Sequence, residues 1–177
     1  MGKWSPRTWA IQDTSDAELI GEILRQTDRA AGLIAAEFVS ERLKQAIVAL
    51  FLHAWPKRDE ELFSNRGPFA DFSARIATAY AFGIIGPQTH HDLNLVRRIR
   101  NEFAHTLKPL DFASAPIAGR CSELKLPDEV KGSFRPPPYD QISDPRDRYL
   151  FVCGYVMSQL MAFTRLKRQS EGLCELP

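Results

Sequence analysis

Arg100, Asn101 and His105 are the residues of this 177-residue chain whose types and spacing best suit chemistry on a phosphate. Asn101 and His105 are four apart, so on a helix they lie one above the other. Arg100 stands about 140° around a helix from His105, and its long side chain can swing toward the imidazole. Arg97 and Arg98 precede the group, Lys108 follows it, and Glu102 is the nearby opposing charge. A cationic helix end with one imidazole suits a phosphate. In a metal-independent RNA cleavage, neutral His105 would take the proton of a ribose 2′-hydroxyl, or charged His105 would protonate the leaving oxygen. Arg100 would hold the phosphate and offset charge growing in the transition state. Asn101 would orient His105 or bond the phosphate, with Arg97, Arg98 and Lys108 as further phosphate contacts. One imidazole does not serve as acid and base in a single step, so a second copy of His105, or a water, would complete the scheme. The same residues also admit a structural use. Asn101 and His105 would cap their helix, and Arg100 would pair with Glu41 in a satisfied polar network.

These residues need a helix to carry them. Leu93, Val96, Arg100 and Phe103 fall at i, i+3, i+7 and i+10, and Leu95 and Ile99 widen the stripe. Gly86-Pro87 stops one helix and starts this one, with Pro87 in its first turn. Before it, Phe69, Phe72, Ile76, Ala79, Tyr80 and Gly83 predict another helix, with Gly83 placed for a close crossing. Ser15 to Glu18 has the form of a capping box. The periodic sequence after it predicts a short and a long helix, or one bent helix, breaking between Thr27 and Gly32 and stopped by Pro56. Ala30, Ala31, Ala35 and Ala36 permit close helix contact.

After His105 the pattern changes. Pro109, Pro116, Pro127, Pro136 to Pro138, Gly119 and Gly132 predict a largely non-helical excursion over residues 106–143. Leu107, Leu110, Phe112, Leu124, Phe134 and Tyr139 are apolar anchors for wrapping it on a core. Asp144 then offers an N-cap, Pro145 the first helical position and Asp147 a charge matched to the helix dipole. The last helix carries apolar residues on more than one side, enough for some to meet another subunit. The organisation expected is a lead-in over 1–14, whose Trp4 and Trp9 pack on the body or a partner, one helical domain over 15–168, and a tail over 169–177.

Composition narrows the function classes. A 44% apolar fraction is ordinary for a globular domain. A net charge of +1, and no short helix-turn-helix with a basic recognition helix, argue against direct, specific DNA binding. No apolar run is long enough to span a bilayer, and the N-terminus has no apolar core of a secretion signal. Cys121, Cys153 and Cys174 form neither a disulfide framework nor a zinc pattern, so a cytoplasmic setting is expected. His53 beside Trp55 reads as a surface or packing residue. His90 and His91 are adjacent and cannot share a helix face. With Asp92 they offer two ligands and no third at helical spacing, so neither metal nor cofactor is expected.

The spelling Arg-Asn-x-x-x-His at Arg100 to His105 resembles the Arg-x4-His signature of the HEPN superfamily. A closer resemblance is to the mannitol operon repressor (MltR-like) family. It rests on Phe69-Ala-Asp-Phe-Ser-Ala-Arg-Ile76, on Ala81-Phe-Gly-Ile-Ile-Gly86, and on the run from His91 to His105. The resemblance implies an all-α, HEPN-like bundle of about four or five helices, with the Pro-rich loop before the last. It implies a homodimer that places two copies of Arg100 and His105 near one cleft. Glu41, Arg42 and Glu102 would be supporting charges beside the motif. The function it implies is negative regulation of mannitol uptake and use through a protein partner. The alternative is a HEPN-type endoribonuclease acting on single-stranded RNA through Arg100, Asn101 and His105.

Overall fold

Short side chains on one helix set where the others can sit. In the computed structural model, which describes residues 21–51, 57–64, 66–130 and 142–171, α1 (Asp28–Val48) runs through the centre. Its buried face is Ala31, Gly32, Ala35, Ala36, Val39, Leu43, Ala46 and Ile47. The alanine-rich half lets α7 (Pro145–Glu171) pack along it, and α3 (Phe72–Ala81) and α4 (Pro87–His105) pack on its other sides. Gly32 is required here, because a Cβ would lie 2.7 Å from the Phe103 ring. The Gly32 carbonyl accepts a 2.7 Å bond from the Tyr149 hydroxyl. Phe112 lies between Phe103 and Tyr149, with ring centroids 5.1 and 5.2 Å away. All three rings are buried where α1, α4 and α7 meet.

The four long helices match the bundle expected from the spacing. Three shorter ones lie wholly within the described residues: α2 (Arg58–Phe63), α5 (Ala115–Ser122) and α6 (Leu126–Glu129). Residues 21–25 are helical, the chain bends at Gln26, and Thr27 caps α1 by accepting from the Ala30 amide at 3.4 Å. The break therefore falls at the N-terminal edge of the expected window, at Gln26 and Thr27. Arg146 holds it, donating to the Leu24 and Gln26 carbonyls and pairing with Asp28.

The end of α3 is a Schellman turn. Gly83 has φ +69°, the Gly83 amide donates to the Tyr80 carbonyl, and the Ile84 amide donates to the Ala79 carbonyl. The expected close crossing at Gly83 is not found. A Cβ there would meet nothing within 4 Å, and the glycine serves the backbone alone. Gly86 then caps α4 and Pro87 opens it, as the sequence indicates.

Residues 106–143 depart from the largely non-helical excursion, since α5 and α6 lie within them. The physical reason is the position of the prolines. Pro116 and Pro127 each occupy the first turn of a short helix, where the missing amide costs nothing. Asp111 and Ser114 bond each other's backbone and side chains just before α5. The segment does wrap the core, through buried Phe112, Ile117, Cys121, Leu124 and Leu126, while Leu107 is fully exposed.

α7 starts as its sequence predicts, with the Asp147 amide donating to Asp144 Oδ1 at 3.1 Å. Buried Arg148 ties α7 to α5 and α6. It donates to the Cys121, Leu124 and Ile142 carbonyls and pairs with Asp128 at 2.7 Å. Tyr149, Val152, Cys153, Val156 and Leu160 are buried along α7, with Phe151, Tyr155 and Phe163 packed partly against the core. No helix among the described residues is long and apolar enough to cross a membrane. Trp4, Trp9, the Ser15–Glu18 box, His53, Trp55, Pro56, Phe134, Pro136 to Pro138, Tyr139 and Cys174 lie outside the described residues.

Candidate functional site

The apolar stripe of α4 fixes which of its charges reach a cavity. Leu93, Leu95, Val96, Ile99 and Phe103 face the core. Arg97, Arg100 and Asn101 fall on the flank turned toward α1 and the start of α3. There they line a cleft of about 230 Å³ with Glu37 and Ser40 of α1 and with Ala70, Asp71, Phe72, Ser73 and Arg75.

Each arginine in the cleft is held differently. Arg75 is buried and bonded through two of its nitrogens: its Nε donates to the Phe69 carbonyl at 2.9 Å and its Nη1 to Ser40 Oγ at 2.9 Å. Its guanidinium also lies 5.7 Å from the centre of the Phe63 ring. Arg100 donates through Nη1 to Asn101 Oδ1 at 3.2 Å. Arg97 Nε is buried without a hydrogen-bond partner. Asp71 precedes α3 in extended conformation and its side chain makes no cap bond, so the first-turn amides of α3 carry no side-chain cap. Partial positive charge therefore adds to that of the arginines.

The structure divides the residues that spacing had grouped. Arg100 and Asn101 share the cleft, but His105, the last residue of α4, is exposed and does not line it. The end of α4 is closed by Thr106, whose amide donates to the Glu102 carbonyl and whose hydroxyl donates to Glu102 Oε1. Glu102 also receives Arg120 at 3.4 Å, so it links α4 to α5. Glu41 accepts from Gln45, to which Arg42 also donates. Glu41 and Arg100 form no ion pair, contrary to the structural pairing expected, because Gln45 lies one turn along on Glu41's own helix. Of the further phosphate contacts, Arg97 lines the cleft. Arg98 and Lys108 are exposed outside it.

His90, His91 and Asp92 have other work. His90 stacks on Tyr80 with centroids 4.4 Å apart. Asp92 is completely buried and accepts from the Lys125 amide at 3.0 Å, the Leu126 amide at 2.9 Å and His91 Nδ1 at 2.9 Å. It thereby caps α6. Burial pushes the Cys121 thiol up to about 12 and the Cys153 thiol higher still, so neither is a nucleophile near neutrality.

Glu37, Ser40, Asp71, Ser73 and Arg75 were not singled out by spacing. Three of them stand inside the run Phe69 to Ile76, whose polar residues alternate with the apolar ones that define the helix. Chemically the cleft gathers three guanidinium groups, two carboxylates and two hydroxyls.

Known proteins agree with this architecture. A solved structure titled as the MtlR–HPr complex from Escherichia coli superposes with a TM-score of 0.65 at 19% identity, covering 84% of this chain and 99% of that one. Mannitol operon repressors from two Escherichia coli strains are each 29% identical to this chain over 111 residues. That stretch is 59% of this chain and 55% of each relative, so the chain matches about half of their length. The family model described as mannitol repressor matches residues 18–153, which include the helix α4, the cleft and most of the core. This chain belongs to the mannitol repressor family.

Proposed function

We propose that this protein is a cytoplasmic negative regulator of mannitol genes that acts by binding a protein partner, HPr or a protein like it. The observation that carries the reading is the family match over residues 18–153. The neighbour of similar fold was solved in a complex with HPr, which supports a protein partner over direct DNA contact. Near-neutral net charge supports the same choice. Tyr80 and Phe82 are 44% and 56% exposed at the corner between α3 and α4, and exposed aromatic rings suit a protein interface. No observation favours the ribonuclease reading, since the imidazole it needs does not share the cleft with Arg100 and Asn101.

Isothermal titration calorimetry of the purified chain with purified HPr tests the proposal. Saturable binding at one HPr per chain is expected, and no binding to a mannitol promoter duplex at the same concentrations. Absence of heat with HPr, confirmed by a null result in sedimentation velocity, would sink the partner; tight, sequence-selective duplex binding would sink the mode of action.

A further inference from the structure

We propose that the cleft between α1, α3 and α4 is a binding site for a small phosphate monoester of a polyhydroxylated compound. The inference is independent of the protein partner. It begins with Arg97. A guanidinium whose Nε is out of water and unbonded is an unfavourable arrangement unless an acceptor arrives. Arg97 makes no ion pair or hydrogen bond among the described residues, although Glu37 and Asp71 line the same cleft. An acceptor supplied from outside would satisfy it.

The neighbouring groups specify what that acceptor is. Arg100 is steadied by Asn101 through Nη1, which fixes its fork beside the cleft. Arg75 adds a third positive charge that Ser40 and the Phe69 carbonyl hold in place. The ten-residue helix α3 begins in the cleft wall without a side-chain cap. Several guanidinium donors together with helix amides match the three-oxygen face of a phosphate better than a single carboxylate.

The rest of the lining is suited to hydroxyl groups. Glu37 and Asp71 accept, and Ser73 both donates and accepts. The two carboxylates also disfavour a ligand that is anionic along its whole length, such as a nucleic-acid strand. A volume of about 230 Å³ lies below the range usual for drug-sized ligands and admits only a small one.

The probes are inorganic phosphate, glycerol 3-phosphate and glycerol, each titrated calorimetrically into the full chain at low ionic strength. Glycerol 3-phosphate is expected to bind at one per chain, inorganic phosphate more weakly, and glycerol not at all. Arg97→Gln should weaken glycerol 3-phosphate by about tenfold or more through loss of a charge-assisted contact, while its melting temperature stays at or above that of the wild type. Ser73→Asp, which adds a carboxylate at the start of α3, should do the same by repulsion. Arg98→Gln, one residue away and outside the cleft, should leave binding unchanged. The proposal is overturned if neither phosphate probe binds saturably, if Arg97→Gln and Ser73→Asp both bind as wild type, or if Arg98→Gln loses as much as Arg97→Gln.

Discussion

Asp92 shows how a residue with the look of a ligand becomes a joint. A fully buried carboxylate is tolerated only when its charge is answered. Here the Lys125 and Leu126 amides and His91 answer it. Asp92→Ala would leave those amides short of an acceptor beneath α4 and is expected to cost about 2–4 kcal/mol. Asp92→Asn keeps an acceptor of the same shape and should cost less than half as much. Urea unfolding followed by circular dichroism would show this as a lower midpoint at unchanged slope. An Asp92→Ala midpoint equal to wild type would mean that the capping is unimportant. Sequence displayed the His-His-Asp triplet but could not display the two amides that Asp92 caps, which lie 33 and 34 residues further on. His105 was misgrouped for a related reason. Spacing gives an angle around a helix, and it does not reveal where the neighbouring helices leave a cavity.

At the scale of the element, punctuation residues were legible as signals, but each signal had more than one outcome. Gly86-Pro87 and Asp144-Pro145 opened helices where expected. Pro116 and Pro127 belong to the same class of signal, yet their neighbourhood of glycine and proline concealed two short helices. Such helices have little periodicity to read, and they exist because the core beneath them accepts Ile117, Cys121 and Leu126. The glycines divide in a way that can be measured. Gly83→Ala strains a left-handed turn and should cost about 1 kcal/mol without disturbing the interior. Gly32→Ala places a methyl against Phe103 and should cost about 1–3 kcal/mol by overpacking. Because Phe103 touches Phe112, and Phe112 touches Tyr149, only Gly32→Ala should alter the near-ultraviolet dichroism. Equal near-ultraviolet changes in both variants would contradict this division.

The whole molecule was easier to read than its site. Helix period and caps depend on residues close in sequence, so the four long helices followed from local pattern. The cleft depends on Glu37 and Ser40 of one helix meeting Arg97 and Arg100 of another, with the start of a third between them. No local pattern encodes that meeting. The polar residues in Phe69 to Ile76 were visible, but only the packed bundle turns them toward Arg97.

We propose that the molecule is a homodimer, and α7 supplies the physical argument. It is the longest helix, spanning Pro145–Glu171, and its inner residues already satisfy α1, α5 and α6. Leu166 nevertheless stands 66% exposed near its end, and Phe151, Tyr155 and Phe163 are only partly covered. Apolar surface left along one helix is removed from water efficiently by the same helix of a second copy, since a two-fold axis lets each patch meet itself. Sedimentation equilibrium at micromolar concentration should therefore report twice the 20.0 kDa chain mass. Leu166→Glu should shift the equilibrium toward monomer without lowering helical content, because the residue contributes little to the core. If dimers persist unchanged in Leu166→Glu, the seam lies elsewhere, and charge reversal on α4 at exposed Arg98 becomes the next variant to examine. A single 20.0 kDa species in the wild type would end the dimer proposal. It would leave the single-chain cleft intact, because Arg97, Arg100, Ser73 and the start of α3 all come from one copy.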